Sequence, residues 1–216
     1  MQKIALIVAG GKGTRMNAST AKQFLVLNKL PVLMHTLKQF SSFDKIVLVL
    51  PGTKFNYWQS LCKKYKFTLK HTLVKGGKTR FQSVKNGLNK IPPNSIVAIH
   101  DGVRPLVSKD LIEQLILQVK KGIGVIPILP LKDSIRQISE KKSAPINRSN
   151  LVKVQTPQCF LSSEIKDAYT QKFSNSFTDD SSVFESNGGD INFILGEEKN
   201  LKITTEQDLK IASNLL

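Results

Sequence analysis

Four nearly continuous apolar runs set the rhythm of the chain: residues 3–9 (KIALIVA), 45–50 (KIVLVL), 95–100 (SIVAIH) and 122–129 (GIGVIPIL). A strand with one wet face alternates polar and apolar positions, whereas a run that is apolar throughout belongs to a parallel strand covered on both faces. Helical patterns lie between these runs. Leu111, Ile112, Leu115, Ile116 and Val119 fall on one helical face, with Ser108 placed as N-cap. Phe81, Val84 and Leu88 form a shorter stripe behind Thr79, and Thr205 with Asp208 makes a capping-box start for the last helix. The alternation predicts an α/β fold, a Rossmann-like doubly wound and mostly parallel sheet.

The rhythm breaks between residues 131 and 154, which are polar, carry no good helical pattern and are interrupted by Ser143-Ala144-Pro145. An ordinary surface loop and a β-hairpin arm reaching out of the domain both fit this pattern. No repeat, low-complexity stretch or linker divides the chain, so residues 1–216 are expected to form one domain with an excursion at about 131–154.

Composition narrows the picture. With 216 residues there is room for a sizeable core, and 40% hydrophobic and 22% charged residues are ordinary for a globular protein. No apolar run approaches the roughly 20 residues of a membrane span. Residues 1–9 run straight into a glycine turn with no small-residue cleavage site, which suits a buried first strand better than a signal peptide. Cys62 and Cys159 lack CxxC spacing, so neither a zinc site nor a disulfide framework is indicated and a reducing cytoplasm is expected. The net charge of +16 fits a lysine-decorated surface, a cleft that gathers small polyanions, or nucleic-acid binding. The lysines are scattered, with only short runs such as Lys63-Lys64, so nucleic acid is the least favoured of the three.

The chemistry begins where the first run ends, in Ala9-Gly10-Gly11-Lys12-Gly13-Thr14-Arg15-Met16. Glycines at the carboxyl end of a strand let backbone N–H groups approach a phosphate or a base, and in open α/β sheets ligands bind there. The spacing matches neither GxxxxGK[ST] nor GxGxxG. Arg15 in the turn and Lys22 seven residues later add two cations, which suits a triphosphate awaiting an anionic nucleophile.

The string AGGKGTRM, five residues, then Lys22-Gln23-Phe24 resembles the nucleotidyltransferases that activate sugar phosphates. GGKTRFQSVKNGL (76–88), IHDGVRP (99–105), KDSIR (132–136), NRSNLVKVQTPQCF (147–160), FTDDSSVFE (177–185) and NLKITTEQDL (200–209) follow in the order and spacing of one family within that superfamily. It is the 2-C-methyl-D-erythritol 4-phosphate cytidylyltransferases of non-mevalonate isoprenoid synthesis, and the resemblance covers essentially the whole chain. It implies transfer of a cytidylyl group from CTP, with Mg²⁺, to a sugar-alcohol phosphate.

The resemblance also implies roles. Ala9, Gly10, Gly11 and Gly13 wrap the CTP phosphates, Arg15 and Lys22 stabilise the transition state, and Gly77 and Ser83 read the cytosine. Asp101, followed by Gly102, binds the metal. Arg104, Ser134 and Thr156 contact the acceptor, and Arg148 and Lys202 position its phosphate. The excursion becomes a β-arm that crosses to a second subunit, giving a homodimer. Many members carry an acid where this chain has Lys78, a departure from the family pattern, so the resemblance assigns no side-chain contact there.

Alternatives remain open at this level: a ribitol 5-phosphate cytidylyltransferase, a catalytically silent nucleotide-binding module, and nucleic-acid binding. Asp179 and Asp180 could hold a second metal or cap a helix, the latter being favoured because acids suit a helix N-terminus. His35, His71 and His100 show no ligand spacing; His100 is expected to pack or hydrogen-bond at a strand end, and Cys159 to be structural.

Overall fold

The computed structural model describes residues 1–10, 21–140 and 142–216. In chain order the first half runs β1 (Gln2–Val8), β2 (Val26–Leu27), β3 (Leu30–Pro31), α1 (Val32–Gln39), β4 (Lys45–Leu50), α2 (Phe55–Lys64), β5 (Thr72–Lys75), α3 (Arg80–Leu88) and β6 (Ser95–Asp101). The second half runs α4 (Lys109–Gln118), β7 (Ile123–Pro130), β8 (Ile135–Ser139), β9 (Lys142–Ile146), β10 (Val152–Val154), β11 (Gln158–Leu161), α5 (Ser162–Ala168), α6 (Asp180–Glu185), β12 (Asp190–Leu195) and α7 (Glu206–Leu215).

The main sheet is ordered β10-β7-β11-β6-β1-β4-β5, with β12 paired to β7. The pairs β1–β4, β1–β6, β4–β5 and β7–β12 are parallel. β11 is antiparallel to both its neighbours, β6 and β7. Sequence periodicity gave no sign of this reversed strand, because a short buried strand of either direction is equally apolar.

Covering on both faces explains the unbroken apolar runs. In β1, Ala5 and Ile7 belong to one core with residues of α1, α2 and α4, whereas Ile4 and Leu6 belong to a second core with residues of α3, α5 and α6. A smaller core of Leu27, Val32, Val103, Leu106, Ile203 and Ala212 seats α7. The expected caps are present: Ser108, Thr79 and Thr205 each accept a backbone N–H at the start of α4, α3 and α7, and Thr205 with Asp208 forms a capping box. The break at residues 131–154 contains an antiparallel hairpin, β8 with β9, whose side chains are almost all exposed. No helix among the described residues is long and apolar enough to cross a membrane.

Candidate active site

Four adjacent strand ends, those of β6, β1, β4 and β5, meet at the carboxyl edge of the sheet. Gly102 N–H donates to the Val8 carbonyl at 2.9 Å, Ala9 N–H to that of Val49 at 2.9 Å, and Gly76 N–H to that of Leu50 at 2.8 Å. The start of the first glycine turn, the second glycine pair and Asp101-Gly102 therefore leave the sheet side by side. β1 lies between β4 and β6, so connections depart to opposite sides of it, the arrangement that opens a ligand crevice in α/β sheets.

Glycine is needed here for close approach. A Cβ on Gly102 would stand 2.7 Å from that of Ala9, and one on Gly77 would stand 2.1 Å from Cγ of Gln82. Ser83 braces the second turn: its hydroxyl accepts the Gly77 N–H at 3.1 Å and donates to the Thr79 carbonyl at 2.9 Å. Gln23 is buried and donates from Nε2 to the Ala9 carbonyl at 3.0 Å, which puts the half-buried Lys22 next to the end of β1. Gly11, Gly13 and Arg15 lie outside the described residues.

Asp101 is the electrostatic centre. Its Oδ2 is 3.0 Å from Lys202 Nζ and 3.3 Å from Arg104 Nε, and its Oδ1 is 3.9 Å from Arg80 Nε. Burial by itself would push this carboxyl up, but Arg80, Lys202 and Arg104 together hold it well below the usual carboxylate range. Arg80 is held in turn by Asp180, at 2.8 Å through Nη1 and 2.5 Å through Nη2. Among the described residues three cations thus face two carboxylates, an excess that favours an anionic ligand.

Buried polar contacts hold Asp101 in place. Its N–H donates to Thr156 Oγ1 at 3.1 Å, and that hydroxyl lies 3.0 Å from His100 Nδ1. His100 Nε2 lies 3.0 Å from the Arg104 carbonyl, which can only accept, so Nε2 carries the proton and Nδ1 accepts from Thr156. Burial lowers the His100 pKa to about 4 and keeps the ring neutral. Lys202 arrives on a loop tied down by Arg104 Nη1 and Gln155 Nε2, which donate to the Asn200 carbonyl, and by Asn200 Nδ2, which donates to that of Thr156.

Asp101, Gly102, Arg104, Thr156 and Lys202 are therefore gathered together, beside Ala9, Gly10, Gly77 and Ser83. Ser134 and Arg148 are exposed at the base of the hairpin, where Arg148 Nη1 donates to the Lys132 carbonyl. Lys78 is exposed as well. Asp179 caps α6 in a capping box, and Asp180 is fully buried against Arg80 and Tyr169. Cys159 is buried in the core, where burial pushes its thiol far up. Arg80 was missed at the sequence level, although it lies inside the GGKTRFQS string. An arginine at a helix start has no periodic signature, and its partner is 100 residues away.

A divalent cation at this site would have the Oδ1 of Asp101 as its protein ligand, because that oxygen's contact with Arg80 is beyond hydrogen-bond reach. No group of three or more His, Cys, Asp or Glu side chains suited to a metal occurs among the described residues. One carboxylate oxygen completed by phosphate oxygens and water is a coordination that Mg²⁺ accepts.

A switch-point crevice with glycine turns and surplus positive charge suits a substrate carrying several phosphates, and the class of protein this fold and site define is the nucleotidyltransferase. A family model described as 2-C-methyl-D-erythritol 4-phosphate cytidylyltransferase matches residues 3–216. The chain belongs to that family. A relative of that name from Azobacteroides pseudotrichonymphae is 47% identical over 221 residues, covering 100% of this chain and 99% of its own. The crystal structure of the Francisella tularensis protein of that name is 30% identical with a TM-score of 0.84, each chain covered at 100%. The bifunctional IspDF of Campylobacter jejuni is 32% identical with a TM-score of 0.83 over 97% of this chain, which spans 54% of that longer one.

Proposed function

We propose that the chain transfers a cytidylyl group from CTP to 2-C-methyl-D-erythritol 4-phosphate. The products are 4-diphosphocytidyl-2-C-methyl-D-erythritol and pyrophosphate, in non-mevalonate isoprenoid synthesis. The observation that carries this reading is Asp101, ringed by Arg80, Arg104 and Lys202 at the switch point of a chain that matches the family from residue 3 to 216.

An oxygen of the acceptor's phosphate attacks the α-phosphorus of CTP in line. The bond from that phosphorus to its bridging oxygen breaks, and pyrophosphate departs with the electron pair. The nucleophile is already an anion at neutral pH, so neither a general base nor a covalent intermediate is needed. Catalysis then consists of positioning and charge neutralisation. Backbone groups of Ala9, Gly10, Gly11 and Gly13 cradle the phosphates, with Arg15 and Lys22 neutralising charge that develops at the α-phosphate. Gly77 and Ser83 meet the cytosine. Arg104, Ser134 and Thr156 form the acceptor side, and Arg148 and Lys202 hold its phosphate. Mg²⁺ bound at Asp101 supplies further neutralisation of the triphosphate.

The same reading takes residues 1–216 as one domain, working as a cytoplasmic homodimer with neither nucleic acid nor membrane as partner. Support for the dimer comes from Ile138 on the hairpin and Val152 and Val154 on the following strand, apolar side chains that are 77%, 45% and 40% exposed. A soluble chain gains by covering such a surface. Its two cysteines are free thiols, which suits a reducing compartment.

The deciding experiment measures pyrophosphate release with CTP and Mg²⁺, offering methylerythritol phosphate and ribitol 5-phosphate in parallel. Release with the first alone is expected. Release with ribitol phosphate alone would overturn the choice of acceptor, and silence with both would overturn the catalytic reading.

A further inference from the structure

Asp179 and Asp180 are adjacent in sequence and do different work. Asp179 caps α6, whereas Asp180, with no solvent exposure, takes both terminal nitrogens of Arg80 and the Tyr169 hydroxyl at 2.6 Å. An end-on bidentate pair fixes the plane of a guanidinium as well as its position. The remaining Nε of Arg80 is 3.9 Å from Asp101 Oδ1, close enough for Coulomb attraction and too far for a hydrogen bond.

Two carboxylates thus compete for one cation. Asp180 holds it because it is the more deeply buried partner and offers both oxygens. Asp101 already has Oδ2 occupied by Lys202 and Arg104. Without the negative charge of Asp180, Arg80 would be drawn the remaining ångström or so onto Oδ1, and both oxygens of Asp101 would then carry cationic donors.

We propose that Asp180 is a positioning residue: by clamping Arg80 it keeps the Oδ1 of Asp101 open for a divalent cation. This rests on the reading of Asp101 as the metal ligand. The role resembles that of outer residues that orient metal ligands elsewhere, except that Asp180 acts by restraining a competitor.

The test is Mn²⁺ binding to the intact chain together with a CTP analogue whose α–β bridge cannot be cleaved, because phosphate oxygens complete the coordination. Free Mn²⁺ is followed by electron paramagnetic resonance against the analogue alone, and no turnover is required. Asp180→Asn keeps the shape of the side chain and removes its charge. It should weaken Mn²⁺ binding by about 10–100-fold, the usual cost of disturbing such outer residues. The double variant Asp180→Asn/Arg80→Gln has no cation at position 80 to close on Oδ1 of Asp101 and should return to within about threefold of the parent affinity. A merely structural role for Asp180 would not be rescued in this way. Parent-like Mn²⁺ affinity in Asp180→Asn, or a double variant as weak as the single one, would overturn the proposal. Tyr169→Phe removes the other contact of Asp180 without touching its charge and should leave Mn²⁺ affinity at the parent value; a loss equal to that of Asp180→Asn would point to packing and sink the idea. Asp101→Asn separates the two layers of inference. If it leaves Mn²⁺ binding intact, the metal reading of Asp101 fails and takes this proposal with it.

Discussion

Lys22 stands next to the end of β1 because its neighbour Gln23 is anchored on the Ala9 carbonyl. Lys22→Ala should lower kcat by about 10²–10³-fold, the cost of losing one oriented transition-state donor. Near-normal turnover would remove it from the chemistry. His100 gives a prediction about pH. Its folded pKa of about 4 lies below the ordinary 6.5, so the unfolded chain takes up a proton first as the pH falls. The folded state therefore loses stability from about pH 6.5 down to about pH 4, with a drop of about 2 kcal/mol between pH 7 and pH 5. Burial also lowers His35 and His71, which act in the same direction, so the His100 share is isolated with His100→Asn. Denaturant unfolding at the two pH values should show a clearly smaller drop in that variant. An equal drop would mean that the imidazole is not held neutral by burial.

At the scale of elements, the site depends on how tightly the strand ends approach one another. Gly102→Ala places a methyl group 2.7 Å from Ala9 Cβ and 3.1 Å from Leu33 Cδ1, and the Ala9 Cβ, fixed directly to its backbone, has little room to move. The expected cost is about 1–3 kcal/mol of stability, as for other overpacked sites, together with weaker CTP binding. An unfolding midpoint and a CTP titration check both, and an unchanged pair of values would mean that the strand ends are not in such close contact. Helix starts were legible in sequence, since Ser108, Thr79 and the Thr205–Asp208 box depend on residues three apart. The reversed strand β11 and the edge strand β12 were not, because each is decided by what the segment packs against; nor was the choice between loop and hairpin at 131–154, because an exposed hairpin is as polar as a loop.

For the whole molecule, the question is which subunit supplies Arg148. In this chain its guanidinium rests on the Lys132 carbonyl at the base of its own hairpin. If the arm crosses in a symmetric dimer, one active site combines Lys22 of one copy with Arg148 of the other. Two variants, Lys22→Ala and Arg148→Ala, should then complement each other when co-refolded. Random pairing gives one intact site in each mixed dimer, about a quarter of the parent activity. No recovery would place Arg148 in the site of its own chain. Measured alone, Arg148→Ala should raise the acceptor's KM more than that of CTP; equal effects on both would contradict a place at the acceptor phosphate.

The residue pattern by itself determined the α/β class, the four principal strands, the caps and the string of motifs that marks the family, because all of these depend on neighbours within a few positions or on order along the chain. Only the tertiary structure brought Asp101 into the company of Arg80, Arg104 and Lys202, tied its backbone to Thr156 and His100, and set Asp180 behind Arg80. Those partners come from segments as far apart as residues 80 and 202, and what joins them is charge in a buried place. A linear pattern cannot express that, because the attraction depends on distance through space and on the exclusion of water.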